Sequence, residues 1–322
     1  MTVLNLDCRH GLALLPDNSV DAVVCDPPYG LSFMGKKWDY DVPPVEIWVD
    51  CLRVLKPGGY LLAFAGTRTQ HRMAVRIEDA GLEIRDMIAW VYGSGYPKHR
   101  SSLKPAMEPI TLARKPAPRA TLLNIDACLV GERYPANLIH DGSDEVLEHF
   151  PDSAGSGGSV PNVKISGYGD GVVGTGSAEY LGGERIKVDC GTGSAARFFY
   201  CAKASKRDRN EGLDHFPAVQ TNFAAGTGLS KNGDGSPRNQ EATAKNPHPT
   251  VKPTDLMRYL CRLVTPPGGL IVDPFAGSGS TGKAAALEGF QFLGFELDPQ
   301  YAAIANARID AANLVRACAV AA

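Results

Sequence analysis

The chain has 322 residues, 44% hydrophobic and 21% charged, and 33 basic against 35 acidic side chains leave a net charge of -2. That length supports a full core with room for a substantial insertion, and the charge balance does not by itself point to a nucleic-acid partner. No apolar run reaches membrane-spanning length and the N-terminus lacks the basic-then-apolar layout of a signal peptide, so a cytoplasmic location is expected.

The opening MTVLNLDCRHG reads as a strand entering a turn. Val20–Cys25 (VDAVVC) is a buried-strand run, and Glu46–Leu55 carries apolar residues at helical spacing until Lys56-Pro57-Gly58-Gly59 stops it. A strand at Tyr60–Ala65, a helix at Gln70–Asp79 and a strand at Ile84–Tyr92 complete an α/β pattern with a largely parallel sheet over residues 1–97. Residues 98–244 differ: they are rich in Gly, Ser, Asn and Pro, with clusters such as GSGGS and SGYGDG inside Ser153–Gly193. Such composition is expected to form mobile loops that a ligand orders. The α/β pattern resumes over 245–322, with a helix at Asp255–Val264, a strand at Leu270–Val272, a helix at Ser280–Glu288, a strand at Gln291–Glu296 and a helix at Gln300–Ala312. The core is therefore split between the two ends of the chain, with an insertion between the halves.

Asp273-Pro-Phe-Ala-Gly-Ser-Gly279 follows a strand and opens a helix. Glycines there let the backbone pass close to a ligand and leave helix N–H groups facing it. Glu296 ends the next strand, where a carboxylate can accept from ribose hydroxyls. Gly282-Lys283 is followed by Ala284, which excludes a P-loop, and the three-glycine dinucleotide pattern is missing. A nucleoside cofactor without a polyphosphate fits best.

Asp26-Pro27-Pro28-Tyr29 follows the VDAVVC strand and so lies at the same sheet edge. Its prolines stiffen the turn and remove two N–H donors. The Asp26 carboxylate and the backbone carbonyls remain as acceptors beside the Tyr29 ring. A planar exocyclic amino group, with two hydrogens to donate and a face to stack, matches that arrangement.

These motifs resemble those of the amino-methyltransferases of DNA. DPPY at 26–29 is similar to the family's catalytic motif, FAGSG at 275–279 to its FxGxG cofactor motif, and His248-Pro-Thr-Val-Lys-Pro253 to the segment preceding FxGxG. Catalytic motif first and cofactor motif last is the order of the family's β class. The resemblance implies a Rossmann-like, doubly wound α/β fold, circularly permuted, with 98–244 as the target-recognition region between a catalytic half and a cofactor half. It implies S-adenosylmethionine as cofactor, held by Asp7 at the adenine, Lys252 at the methionine end, Asp273, the run Phe275-Ala276-Gly277-Ser278-Gly279, and Glu296. It implies DNA as partner and a flipped base stacked on Tyr29, its amino hydrogens on Asp26 and the Pro27 carbonyl. Adenine N6 is preferred to cytosine N4, because β-class cytosine enzymes mostly carry Ser where Asp26 stands. Methylation of RNA or of a protein amide is a weaker reading, since the protein-amide enzymes usually carry Asn there, and intact motifs argue against a DNA-binding protein that has lost catalysis. A homodimer, a place in a restriction-modification system and an endonuclease partner are left open.

None of the eight cysteines follows a proline, which disfavours cytosine C5 chemistry, and no two form a CxxC pair, so no structural metal is expected. Between Lys98 and Arg119 six basic residues face a single acid, Glu108. Beside the motifs, Lys98, Arg100 and Lys104 become candidate DNA contacts. Trp38 could close over the base or the DNA backbone. For Trp90, Tyr92, Tyr134, Asn137, Arg197 and Lys203 core packing or anchoring of the insertion is at least as good a reading.

Overall fold

The computed structural model describes residues 1–32, 39–95, 97, 101–118, 122–153, 159–160, 163–166, 177–180, 186–187, 192–202, 207–220 and 243–321. In chain order the strands of the main sheet are β1 (Thr2–Asn5), β2 (Val20–Cys25), β3 (Leu55–Phe64), β4 (Glu83–Val91), β5 (Met107–Arg114), β6 (Leu138–His140), β7 (Tyr200–Cys201), β8 (Leu270–Asp273) and β9 (Gln291–Glu296). The principal helices are α1 (Cys8–Ala13), α2 (Val45–Val54), α3 (Gln70–Asp79), α4 (Thr254–Val264), α5 (Ser280–Glu288) and α6 (Pro299–Ala321).

The sheet runs β1-β9-β8-β2-β3-β5-β4-β6-β7. Pairing is parallel except on both sides of β5. Central strand β2 alternates its side chains between two cores, as a period of two demands. Ala22 and Val24 pack with Met257, Leu260, Ala285 and Ile309 of α4, α5 and α6. Val23 and Cys25 pack with Trp48, Met73 and Ile77 of α2 and α3. Helices therefore cover both faces, and a mostly parallel sheet buried on both sides needs the continuous apolar strands that VDAVVC and LIVD supply. β1 from one end of the chain pairs with β9 from the other, Asn5 opposite Glu296, which closes the split core.

Three boundaries differ from the sequence reading. β3 starts at Leu55, so Lys56-Pro57-Gly58-Gly59 lies inside the strand. The last helix reaches Ala321. Most consequentially, β5, β6 and β7 lie within 98–244 yet belong to the main sheet. Pro109 inside Met107–Arg114 hides that strand in the sequence, because proline normally breaks a ladder. Leu147–Phe198 forms a compact unit of its own. In it Asp152–Ser153 pairs with Gly193–Ser194, Ser159–Val160 with Ile186–Lys187, and Val163–Ser166 with Ser177–Tyr180, all antiparallel. Within the stretch read as mobile loops, the described residues thus form nested antiparallel pairs.

Candidate active site

Because β2, β8 and β9 are parallel, the residues that end them share one edge of the sheet, the edge where open α/β sheets bind ligands. Asp26 follows β2, Asp273 ends β8 and Glu296 ends β9. All three line one cavity of about 1410 Å³, together with Asp7, Tyr29, Lys252 and Gly277. That exceeds the ~300–1,000 Å³ typical of a single small-molecule site, leaving room for a cofactor and a second planar group.

At one end of the cavity stands the glycine turn. Gly277 has φ of +52°, in the left-handed region, and a Cβ there would lie 2.9 Å from His248 Nε2. Its N–H donates to Glu296 Oε2 at 2.8 Å, while Oε1 accepts the Asp298 N–H at 2.8 Å. Each Glu296 oxygen keeps a lone pair for another donor, and burial raises the pKa of this carboxyl. Asp273 is buried, accepts the Phe275 N–H at 2.9 Å, and is pushed up to about 7 by burial. Asp7 caps α1 through the Arg9 N–H at 2.9 Å and pairs with the Arg9 guanidinium at 3.0 Å. A backbone cradle too tight for a Cβ, beside a carboxylate with spare acceptor capacity, fits a nucleoside with a ribose diol.

At the other end two carboxylates share two donors. Tyr29 Oη lies 2.7 Å from Asp26 Oδ1 and 2.9 Å from Glu108 Oε2. Lys252 Nζ lies 2.6 Å from Asp26 Oδ2 and 3.3 Å from Glu108 Oε2. Burial raises the pKa of Asp26; Lys252 opposes that shift and the Glu108 charge adds to it. Burial pulls the Lys252 ammonium down, but the two carboxylates outweigh it and hold the group above its ordinary value. Burial, reinforced by both carboxylates, keeps the Tyr29 phenol protonated.

The loop after Asp26 is clamped by Asp39, which is 2% exposed. Its carboxylate accepts the N–H groups of Tyr29 at 2.7 Å, Gly30 at 2.9 Å and Leu31 at 3.2 Å. Cys25, next to Asp26, is no nucleophile: it is buried, and burial pushes its thiol far up.

The structure thus gathers Asp26, Pro27, Pro28, Tyr29, Asp7, Lys252, Asp273, Phe275, Ala276, Gly277, Ser278 and Glu296 around one cavity. Gly279 instead caps α5. Lys252, expected at the methionine end, has its ammonium on Asp26 and Glu108. Lys104 lines the cavity and lies 3.8 Å from Glu145, whereas Lys98, Arg100, Trp38 and Lys203 lie outside the described residues. Trp90 is buried against Tyr92, their rings 4.9 Å apart, and Tyr92 lines the cavity. Tyr134 is exposed, Asn137 bonds Asp86, and Arg197 holds carbonyls at Gly193 and Ser194.

Glu108 and Asp39 escaped the sequence reading. Glu108 counts there only as an acid in a basic run. β5 is antiparallel, and Phe64 at the end of β3 pairs with Ile110, so the start of β5 meets the functional edge. A sequence does not announce strand direction. Asp39 carries a faint signal, as the first acid after Asp26, ten residues beyond Tyr29 in the connection to α2.

Among the described residues no cluster of His, Cys, Asp and Glu is arranged for a metal ion, and no helix is long and apolar enough to cross a membrane. A family model described as DNA methylase, covering N6 and N4 methyltransferases, matches residues 20–307. The chain is 23% identical over 319 residues to DNA adenine methyltransferase YhdJ of Escherichia coli (strain K12), spanning 97% of this chain and 83% of that protein. Over 66 residues, 20% of this chain and 25% of the relative, it is 41% identical to Type II methyltransferase M2.DpnII of Streptococcus pneumoniae. Its fold is similar to that of the PvuII DNA methyltransferase (cytosine-N4-specific), with a TM-score of 0.55, 17% identity and coverage of 98% and 94% of the two chains. It is also similar to M1.HpyAVI, with a TM-score of 0.51, 15% identity and coverage of 96% and 98%. Likeness at such identities is one of fold.

Proposed function

The chain belongs to the N6/N4 DNA methylase family, with S-adenosylmethionine as its methyl donor, and from that premise we propose that it methylates adenine N6 at a specific DNA sequence. The observation that carries this reading is the Asp26 carboxylate, largely buried at one end of a cavity whose other end is the Gly277–Glu296 cradle. S-adenosylmethionine, when bound, supplies an electrophilic methyl on a sulfonium. Glu296, the Gly277 turn, Asp273 and Asp7 are the groups that would hold it.

Asp26 accepts one amino hydrogen of the flipped base and the Pro27 carbonyl the other, while the Tyr29 ring offers a stacking face. With both hydrogens engaged, the nitrogen lone pair points out of that pair of acceptors. Positioning of this kind can lower a barrier by up to ~7–11 kcal/mol. The burial that raises the Asp26 pKa also makes it a better acceptor for the proton the methylated nitrogen must lose. No step needs a covalent enzyme adduct. The compact unit Leu147–Phe198, within the region read as target recognition, is the proposed reader of DNA sequence.

Adenine is favoured because Asp26 stands where the family's cytosine enzymes mostly carry Ser. The full-length likeness to a protein named as a DNA adenine methyltransferase supports the same choice. The test is incubation with labelled S-adenosylmethionine and unmethylated DNA, digestion to nucleosides and mass spectrometry. Label in N6-methyladenine is expected. Label only in N4-methylcytosine would replace the base assignment and leave the Asp26–Tyr29 site standing. Asp26→Ala should abolish transfer and leave cofactor affinity largely intact.

A further inference from the structure

Each oxygen of Asp26 already accepts one donor in this structure, and one of those donors is charged. Tyr29 donates toward Oδ1 and the Lys252 ammonium sits on Oδ2. A carboxylate tied to a buried ammonium is a weakened acceptor, because the same charge that would draw in an amino N–H is already neutralised. If Asp26 is to receive the target amine, which is the reading proposed above, it binds that amine more strongly once the ammonium and the phenol have shifted to another acceptor. Glu108 stands ready for both. Its Oε2 lies 2.9 Å from Tyr29 Oη and 3.3 Å from Lys252 Nζ. A phenol has one proton to give, so the two carboxylates compete for it. The ammonium leans to Asp26 by only 0.7 Å, from 3.3 Å against 2.6 Å.

We propose that Glu108 is a positioning residue of the methyl-transfer site: it takes over the Tyr29 hydroxyl and the Lys252 ammonium when the target amine arrives at Asp26. No covalent bond is made or broken in this hand-over; hydrogen-bond donors change acceptors. The carboxylate is fixed for that task by the fold. It stands opposite Trp90 in the antiparallel β4–β5 ladder, at the point where β5 enters the functional edge. Tyr92, directly after β4, interacts with Glu108 as well, and burial, reinforced by that carboxylate, raises the Tyr92 phenol. The charge count agrees. Two carboxyl groups stand against the one ammonium, so freeing Asp26 from Lys252 leaves Glu108 beside it and does not strand the ammonium buried and alone.

Glu108→Gln removes the charge and keeps the shape. In the variant Lys252 has only Asp26 to pair with, so the ammonium stays where the amine should bind. Single-turnover transfer at saturating DNA and S-adenosylmethionine should fall about 10²-fold, the loss expected of a misplaced reacting group. Cofactor affinity, measured by calorimetry, should stay within threefold of wild type. The groups facing Asp26 are Tyr29, Glu108, Lys252, Cys25 and Asp273, and among them Glu108 is a carboxylate whose charge raises the Asp26 pKa. Its removal should move the acid limb of the pH–rate profile to lower pH, a change that mere loosening of the fold would not produce. Glu108→Asp keeps the charge and should leave that limb in place while recovering part of the rate, and it serves equally if the Gln variant folds poorly. A Gln variant that transfers methyl within threefold of wild type, or an Asp variant that shares the Gln profile, overturns the proposal. Wild-type protein that methylates no DNA would instead overturn the assignment of the site on which the proposal rests.

Discussion

The Gly277 N–H donates to Glu296 Oε2 at 2.8 Å and so ties the turn after β8 to the last residue of β9, the strand beside it in the sheet. Gly277 holds φ of +52°, which a β-branched residue adopts only under strain, and a Cβ would meet the His248 ring. Gly277→Val should therefore abolish measurable S-adenosylmethionine binding. Gly277→Ala should weaken it by an intermediate amount. Titration calorimetry on variants with native circular dichroism is the check, and unchanged affinity in folded Gly277→Val would refute the assignment of the cradle.

That cradle was legible in the sequence because its logic is local. A glycine turn between strand and helix and an acid at the next strand end are set by spacing within about twenty-five residues, and parallel pairing delivers them to one edge. Asp26 was legible for the same reason. Glu108 was hidden, because its place depends on the reversed direction of β5, a non-local property of the sheet. Lys252 was found, but its partners were not: its ion pair with Asp26 spans 226 positions in the chain. Beyond residue 97, Pro109 masks in the sequence a strand of the main sheet that is buried at six of its eight positions.

Asp39 supplies a second test, independent of cofactor. Its carboxylate accepts three consecutive N–H groups from Tyr29 to Leu31 in a buried setting. Asp39→Ala leaves those donors unmatched and should cost about 1–3 kcal/mol of stability, read from urea denaturation. The rate should fall further than stability alone explains, because the backbone that aims Tyr29 loses its clamp. Asp39→Asn keeps one acceptor oxygen and should recover most of both. A folded Ala variant with wild-type transfer would show that the loop holds its shape without the clamp.

Lys104 lines the cavity, and Lys98 and Arg100 precede it closely in the chain. Neutralising all three should weaken DNA binding and lower its salt dependence by up to ~0.9 log units for each phosphate that the protein ceases to neutralise. Titrations at several salt concentrations measure the slope. An unchanged slope would mean that the run is a solvated face.

Asp273 sets the pH dependence of stability at the cofactor end. Burial lifts its pKa from the ordinary 3.8 to about 7. Between those values the folded state keeps a proton that the unfolded chain has released, so this group makes stability fall as pH rises from about 4 to 7. The opposite sign would hold for a carboxyl with a lowered pKa. At 1.36 kcal/mol per pKa unit the full effect is roughly 4 kcal/mol at most. Asp273→Asn removes the charge while its amide oxygen still accepts the Phe275 N–H. The stability difference between variant and wild type should thus be small at pH 4 and grow in favour of Asn up to pH 7, then level off. Urea denaturation of both proteins across that range, without cofactor, gives the two curves. Wild-type affinity for S-adenosylmethionine should gain on that of the Asn variant over the same pH range, since only the wild-type side chain, a proposed cofactor contact, ionises there. Parallel stability curves would mean that Asp273 is ionised at its ordinary pKa, and that the polar turn around it compensates its burial.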